Sequence, residues 1–489
     1  MNSRAFHSAT DLINAIRHKH ISALELLESY IERIEHLNPA INAIVATNFE
    51  DARKRAAKAD QALAKGETWG ALHGLPMTIK DNLEVVGMPC TAGAPALKNH
   101  MPEQNADLVQ SLLDQGAIIF GKTNMPRYGE DIQSYNEVYG QTNNPWDFSL
   151  TPGGSSGGAA AAVAAGLTGL EIGNDIAGSI RHPANFCGIY GHKPSFGIVP
   201  DKGMIPPPPG VFPGDQTFPS DILVSGPLAR NAQDLDLALG IIVSPERPEK
   251  TAWQIHLPEP RKKRLCDYRI GLWLNDPACP VDSQVGNALQ NAADALAKSG
   301  AQIVDQRPDI DFNSAMDIFF DLLNGVMGLG VPPKMFEEWI CEAQNPGDTK
   351  KDPMARFKRG AIQRHRSWLM QDAQRQILRH KWADFFKDHD AVLCPATCVP
   401  AFAHDHQPFH GRTITVNGKP RPYADLMGWA GLTNMVYLPA TIAPVGMTLS
   451  GLPVGIQIVG PYLEDRTPIH IAGLMADVVG GYHPPEKFV

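Results

Sequence analysis

Residues 151–168 read TPGGSSGGAAAAVAAGLT, in which four glycines surround two serines and lead directly into a helix-forming alanine run. Hydroxyls bedded in glycine serve several chemistries. A phosphate cradle needs a lysine followed by Ser or Thr after the glycines, so that backbone N–H groups and an ammonium both face the phosphates. Here Gly158 is followed by alanines, and the dinucleotide pattern GxGxxG also fails on spacing. A flexible linker is rarely continued by a helix former such as Ala-Ala-Ala-Ala-Val-Ala-Ala. The strained turn that presents a hydrolase serine is the serious rival, because Gly153–Gly157 and Gly154–Gly158 each satisfy GxSxG. That turn follows a buried strand, whereas the preceding NNPWDFSLTP (143–152) carries two prolines in a polar run and makes a poor central strand.

Two other segments complete a nucleophile set that needs no histidine. In EIGNDIAGSIRHPANFCG (171–188), Ser179 stands after the small residues Ala177 and Gly178 and before Ile180-Arg181. Upstream, Lys80 ends the apolar run of GLPMTIKDN (74–82). A serine hydroxyl is a weak nucleophile until a base removes its proton. Lysine is such a base only when neutral, and its ordinary pKa of about 10.4 falls on burial. The apolar lead-in Leu75-Pro76-Met77-Thr78-Ile79 provides burial.

These three segments resemble the amidase signature family of Ser-Ser-Lys hydrolases. Lys80 matches the family's catalytic lysine, Ser155 its cis-peptide serine and Ser179 its nucleophile. The resemblance continues through GKTNMP (121–126), GQTNNPW (140–146), FCGIYGHKPSFGIVP (186–200), SGPLARNAQDL (225–235) and PVGMTLSGLPVGIQIVGPYLED (444–465). It covers most of the chain outside about 240–385. The resemblance implies an α/β fold with a large mixed β-sheet core surrounded by α-helices. It implies hydrolysis of an amide C–N bond through an acyl-enzyme on Ser179, with Ser155 and Lys80 as proton relay. The oxyanion hole it implies is built from the backbone N–H groups of Ile176, Ala177, Gly178 and Ser179. Asp175 and Arg181 are then the turn's buried electrostatic support, and Ser156 hydrogen-bonds within the relay. The family also implies no cofactor, a small-molecule amide as substrate, a homodimer and the capacity to cleave esters.

Two positions depart from the family's common pattern. Asp175-Ile176-Ala177-Gly178-Ser179 stands where many members carry a glycine in place of Ala177, and Pro126-Arg127-Tyr128-Gly129 stands in place of Pro-Glu-Phe-Gly. Neither removes a catalytic group, and both leave the preferred acyl group open. Two other functional classes also remain: the A subunit of a tRNA-dependent amidotransferase, which acts as a glutaminase with partner subunits, and a catalytically silent scaffold. The intact lysine and serines disfavour the scaffold.

The elements that must position these residues follow from periodicity. Apolar positions at helical spacing over 9–37, closed by Asn38-Pro39, predict a helix, and a second covers 50–65. From Gly74 onward, short apolar runs alternate with helical patterns: LPMTIK (75–80), a helix near 105–115 and AIIFGK (117–122). That alternation argues for a buried mixed sheet. IPPPPGVFPGDQTFP (205–219) is too proline-rich for helix or central strand and reads as a loop near a pocket. The stretch 240–390 turns helical and polar and reads as an inserted or flanking subdomain, apart from strand-like YRIGLW (268–273). Its apolar IFFDLLNGVMGLGV (318–331) lines an acyl pocket or is simply core. Strands return at 436–446 and 452–461 before a closing helix. The division is thus N-terminal helices (1–70), signature core (71–235), variable helical insertion (240–390) and a C-terminal return (391–489), within a single domain.

Composition bounds the rest. With 489 residues, 43% hydrophobic and 19% charged, the chain is a folded body rather than a disordered one. Lys+Arg 43 against Asp+Glu 52, a formal charge of −9, leaves no global positive field for nucleic acid. The basic run Arg261-Lys262-Lys263-Arg264 reads as a solvated approach to the strand that follows. Seven scattered cysteines without a CxxC pair read as reduced thiols of a cytoplasmic protein. No signal-peptide pattern opens the chain, and no apolar stretch reaches the roughly 20 residues that span a bilayer. His404-Asp405-His406 with His410 lies in a proline-rich loop connection and is not read as a metal site.

Overall fold

Short apolar runs that cannot complete a helix become buried strands, and eleven strands of the described residues assemble into one sheet. The computed structural model describes residues 3–208, 220–246, 249–343 and 353–488. In chain order the strands are β1 (Ile44–Thr47), β2 (Pro76–Lys80), β3 (Ile118–Thr123), β4 (Glu171–Asp175), β5 (Tyr190–Lys193) and β6 (Val224–Ala229), followed by β7 (Arg269–Leu272), β8 (Gln302–Val304), β9 (Ala391–Pro395), β10 (Ala440–Met447) and β11 (Pro453–Val459). Their spatial order is β1-β3-β2-β4-β6-β5-β10-β11-β9-β7-β8. The sheet is mixed: β2 runs parallel to β3 and β4, whereas β4 runs antiparallel to β6. Every residue of β2 and β4 is buried, as strands covered by helices on both faces require. The expected α/β fold with a large mixed sheet is therefore the fold observed.

The N-terminal helical pattern divides in two. Helices Ala9–Arg17 and Ala23–Ile41 are separated by a turn with Lys19 at φ 59°, and each starts on a serine, Ser8 and Ser22, whose hydroxyl accepts an N–H of the first turn. With Glu25, Ser22 closes a reciprocal capping box, which is why the second helix starts there. That helix runs past the expected stop at Asn38-Pro39. Pro39 sits in its last turn, and the Asn38 side chain accepts from Ala43 and Ile44 N–H at 2.9 and 3.0 Å, fixing the exit into β1. The helices expected near 50–65 and 105–115 are Phe49–Ala64 and Asp107–Asp114.

The stretch 240–390 contains helices Ser283–Lys298, Phe312–Met327, Pro333–Ala343, Pro353–Ala361 and His365–Phe385. It also supplies β7 and β8, which extend the main sheet through parallel pairing of β7 with β9. Its basic run is only partly solvated. Arg261 binds both carboxylate oxygens of Glu464 (2.5 and 2.7 Å) and the carbonyls of Phe386 and His389, while Arg264 pairs with Asp267 at the surface. Charge spacing alone does not reveal that a distant acidic residue and a chain of carbonyls wait for Arg261. Of the proline-rich loop, residues 209–219 lie outside the described residues. No helix of the described residues is long and apolar enough to cross a membrane.

Candidate active site

Lys80 is the last residue of β2 and has no solvent exposure. Its Nζ lies 2.6 Å from Ser155 Oγ and 2.6 Å from Asn174 Oδ1. Burial pushes the ammonium down to about 7, with the negative charges of Asp175 and Glu171 pulling the other way. A substantial neutral fraction at neutral pH follows, and neutral amine is the form that takes a proton.

Ser155 sits in the glycine loop, behind a cis Gly154–Ser155 peptide. The loop is clamped by Ser134, whose Oγ accepts from Gly157 N–H at 3.0 Å and reaches the Gly153 carbonyl at 3.0 Å. At Gly154 a Cβ would stand 2.6 Å from the Gln133 nitrogen, so no larger residue fits that approach. Directly after the loop, Gly157–Ala164 forms a short helix buried along its whole length. Its small side chains are what let it lie inside the core.

Ser179 follows β4 on the turn Ile176–Ile180. Ser179 is 8% exposed against 2% for Ser155 and 0% for Lys80, so the most accessible of the three groups is the proposed nucleophile. The turn is pinned through Asp175, whose carboxylate accepts from Gly178 N–H (2.7 Å) and Ile180 N–H (3.1 Å) and pairs with Arg181 at 2.9 Å through both Nε and Nη2. Burial raises the Asp175 carboxyl, but Arg181 and these donors overcome it and hold the group well below the usual carboxylate range. Arg181 donates further to Thr433 Oγ1 (2.6 Å), Gln457 Oε1 (2.5 Å) and Asn434. Gly178 adopts φ +106°, and a Cβ there would stand 2.2 Å from the His182 ring. Only glycine fits both constraints.

A model of the Amidase family matches residues 25–468. The chain belongs to the amidase family. Among its relatives, an indoleacetamide hydrolase of Bradyrhizobium diazoefficiens is 32% identical, with 94% of this chain and 84% of the relative covered. The A subunit of the glutamyl-tRNA(Gln) amidotransferase of Thermoanaerobacter pseudethanolicus is 34% identical over 94% of both chains. Among solved structures, a bacterial aryl acylamidase of the amidase signature enzymes superposes with a TM-score of 0.79 at 25% identity, covering 99% of this chain and 97% of that one.

Two details of this amidase differ from the arrangement that the sequence led us to expect. Gly178 N–H is engaged by Asp175 Oδ1, which leaves the N–H groups of Ile176, Ala177 and Ser179 as the candidate oxyanion donors. Ser156 does not enter a side-chain relay: its Oγ donates to the Asn174 carbonyl at 3.3 Å, and its N–H to the Ser179 carbonyl at 3.0 Å, stitching the two serine segments together. Among the described residues, no hydrogen bond joins Ser179 Oγ to Ser155 Oγ. Hydroxyl contacts of this kind commonly tighten only around bound substrate.

Sequence reasoning also passed over Asn174 and Glu171. Asn174 bridges Lys80 to Asn82, whose Oδ1 accepts from Asn174 Nδ2 at 3.0 Å. Glu171 is paired across the sheet with Thr78, accepts from the hydroxyls of Thr78 and Thr123, and is pushed up to about 8 by burial. Both stand in the quoted motif, but their partners lie on β2, just beyond it or at the end of β3, and only the pairing of β2 with β3 and β4 makes them neighbours. Among the described residues, no three His, Cys, Asp or Glu side chains are placed to hold a metal ion. Instead His406 stacks on Tyr135 at 3.8 Å, and His404 lines a cavity of about 480 Å³ that includes none of Lys80, Ser155 and Ser179.

Proposed function

We propose that this amidase-family chain hydrolyses carboxylic acid amides to the acid plus ammonia or an amine, with Ser179 as nucleophile. The observation that carries the reading is the buried Lys80 amine, 2.6 Å from Ser155 Oγ and shifted to about 7. As Ser179 Oγ attacks the amide carbonyl carbon, its proton passes to Ser155 Oγ, and the Ser155 proton passes to neutral Lys80. The negative oxygen that develops is met by the N–H groups of Ile176, Ala177 and Ser179, a preorganised set that needs no reorientation. The relay then reverses and protonates the leaving nitrogen, the C–N bond breaks, and the acyl group remains on Ser179. Water repeats the sequence, releasing the acid and restoring the serine. Asp175 and Arg181 shape the turn and touch no reacting atom.

The similarity to an indoleacetamide hydrolase and an aryl acylamidase supports a free-standing hydrolase of small aryl or alkyl amides, with ester cleavage as a side activity. A second reading, a glutaminase that works with partner proteins, draws on the 34% identity to the amidotransferase chain. The test is release of ammonia or amine from acetamide, benzamide, an anilide, a long-chain amide and glutamine, with Ser179→Ala alongside. Release that disappears in the variant supports the hydrolase. No release from any amide, together with no labelling by a serine-directed fluorophosphonate, overturns it and favours the partner-dependent reading.

A further inference from the structure

Among the described residues, Lys80 Nζ meets two polar partners, Ser155 Oγ and Asn174 Oδ1, each at 2.6 Å. A neutral amine carries two N–H bonds and one free electron pair, and only the pair can take a proton. Which partner receives the pair therefore decides whether the relay runs. Ser155 Oγ can donate or accept, so the choice falls to the Asn174 amide, whose two ends have opposite character.

A chain of buried amides fixes which end faces Lys80. Asn174 Nδ2 donates to Asn82 Oδ1 at 3.0 Å and to Met204 Sδ, a weak acceptor, at 3.4 Å, and Asn82 Nδ2 donates to the Ile205 carbonyl at 2.7 Å. Asn82 and Asn174 are both buried. The two ends of an amide are assigned from their partners, and the last partner here admits one assignment, because a backbone carbonyl only accepts. Ile205 is itself held in place. Its N–H donates to the Asn82 carbonyl at 2.9 Å, Glu84 N–H donates to the Gly203 carbonyl at 2.9 Å, and Leu83 and Met204 form a β-bridge between them. Asn82 must then turn its oxygen to Asn174, and Asn174 must turn its own oxygen to Lys80.

We propose that Asn82 is a positioning residue of the proton relay: anchored on the Ile205 carbonyl, it holds the Asn174 oxygen against Lys80, so that the neutral amine uses an N–H there and keeps its electron pair for the Ser155 proton. The inference rests on the relay of the hydrolase reading above and on no particular amide. Without the Asn82 oxygen, the Asn174 amide is free to turn its Nδ2 to Lys80. That end donates to the electron pair, leaves only N–H bonds for Ser155 and traps the lysine neutral but idle. The ammonium form has no pair and is not trapped. Trapping one protonation state moves the titration by the same factor that it removes from the working form. A loss of about tenfold on the alkaline plateau therefore goes with an inflection about one pH unit lower. At acid pH the two effects cancel.

The test follows two rates from about pH 5 to about pH 10: the second-order labelling of Ser179 by a fluorophosphonate, and kcat/KM for an amide that the wild type hydrolyses. Wild type is compared with Asn82→Leu and Asn82→Asp. Leucine matches asparagine in size and offers no oxygen. Its alkaline plateau is expected to fall about tenfold and its inflection to drop by about one unit, with rates at acid pH equal to those of the wild type. Lost packing alone would lower both limbs alike. Aspartate presents an oxygen to Asn174 in either protonation state, so its plateau is expected within about threefold of wild type and its inflection no lower. Asp175 and Glu171 act on the Lys80 charge in all three proteins. The Lys122 ammonium, which donates to the carbonyls of Asp81 and Leu83 on either side of Asn82, lies beside the added carboxylate.

Equal loss on both limbs in Asn82→Leu, an inflection that stays in place, or a plateau in Asn82→Asp reduced by more than about threefold overturns the assignment. If Asn82→Leu does not fold, the Asn82→Asp plateau decides by the same threshold. Labelling that follows the expected pattern, without turnover of any amide, sustains the role of Asn82 while the hydrolase reading fails. Turnover with both limbs falling alike does the reverse. A wild type that is neither labelled nor active overturns both.

Discussion

Two buried lysines end two strands of the same sheet, Lys80 on β2 and Lys193 on β5, and burial brings both down to about 7. Their surroundings differ. Lys80 Nζ meets a serine hydroxyl and an asparagine oxygen, each at 2.6 Å, beside the glycine loop. Lys193 Nζ donates to the carbonyl of its own neighbour, Pro194, at 2.7 Å, and Arg181 adds to the pressure on its charge. A depressed pKa is thus common to both. What separates them is a hydroxyl within reach that can pass a proton onward, and a shifted pKa is informative about chemistry only together with such geometry.

Three substitutions test that contrast, in descending order of effect. Lys80→Met removes the base and is expected to lower kcat/KM for a simple amide by about 10³- to 10⁴-fold, with the far-ultraviolet circular dichroism of the wild type retained. Activity within tenfold of wild type would break the comparison at its centre. Asn174→Asp places a carboxylate against Lys80 and favours its charged form. The wild-type kcat/KM should rise with pH through about 7 as Lys80 becomes neutral, since protonated lysine accepts no proton. In the variant that inflection moves up by about one to two pH units. The rate at pH 7 falls about ten- to hundredfold and recovers in alkaline buffer, read directly from the pH–rate profile; an unmoved inflection would detach Asn174 from the relay. Lys193→Met should change kcat/KM by no more than about threefold and leave the pH inflection in place. Loss comparable to Lys80→Met would mean that the two lysines act as one unit through Arg181 and Asp175.

The candidate site is unevenly legible in the sequence. Lys80, Ser155 and Ser179 stand out because each sits in a motif whose small or apolar neighbours have a stated purpose, and the structure brings Lys80 and Ser155 together. Asn174 is silent, because an asparagine beside an acidic residue reads as a turn polar group until β4 is seen lying parallel to β2. Arg181 is visible as a charge next to the turn, but the groups that hold it, Thr433, Asn434 and Gln457, come from the C-terminal part of the chain. Burial of the complete Asp175–Arg181 pair is tolerable only because those acceptors satisfy the guanidinium.

Local physics, by itself, determined which stretches become strands or helices and where glycine is obligatory, because hydrophobic period, capping and backbone freedom act within a few residues. The entry of β7 and β8 into the main sheet was decided by tertiary structure alone. So were the acceptors around Lys80. Each depends on groups far apart in the chain competing for the same space or the same hydrogen bond, and no local pattern encodes the outcome of that competition.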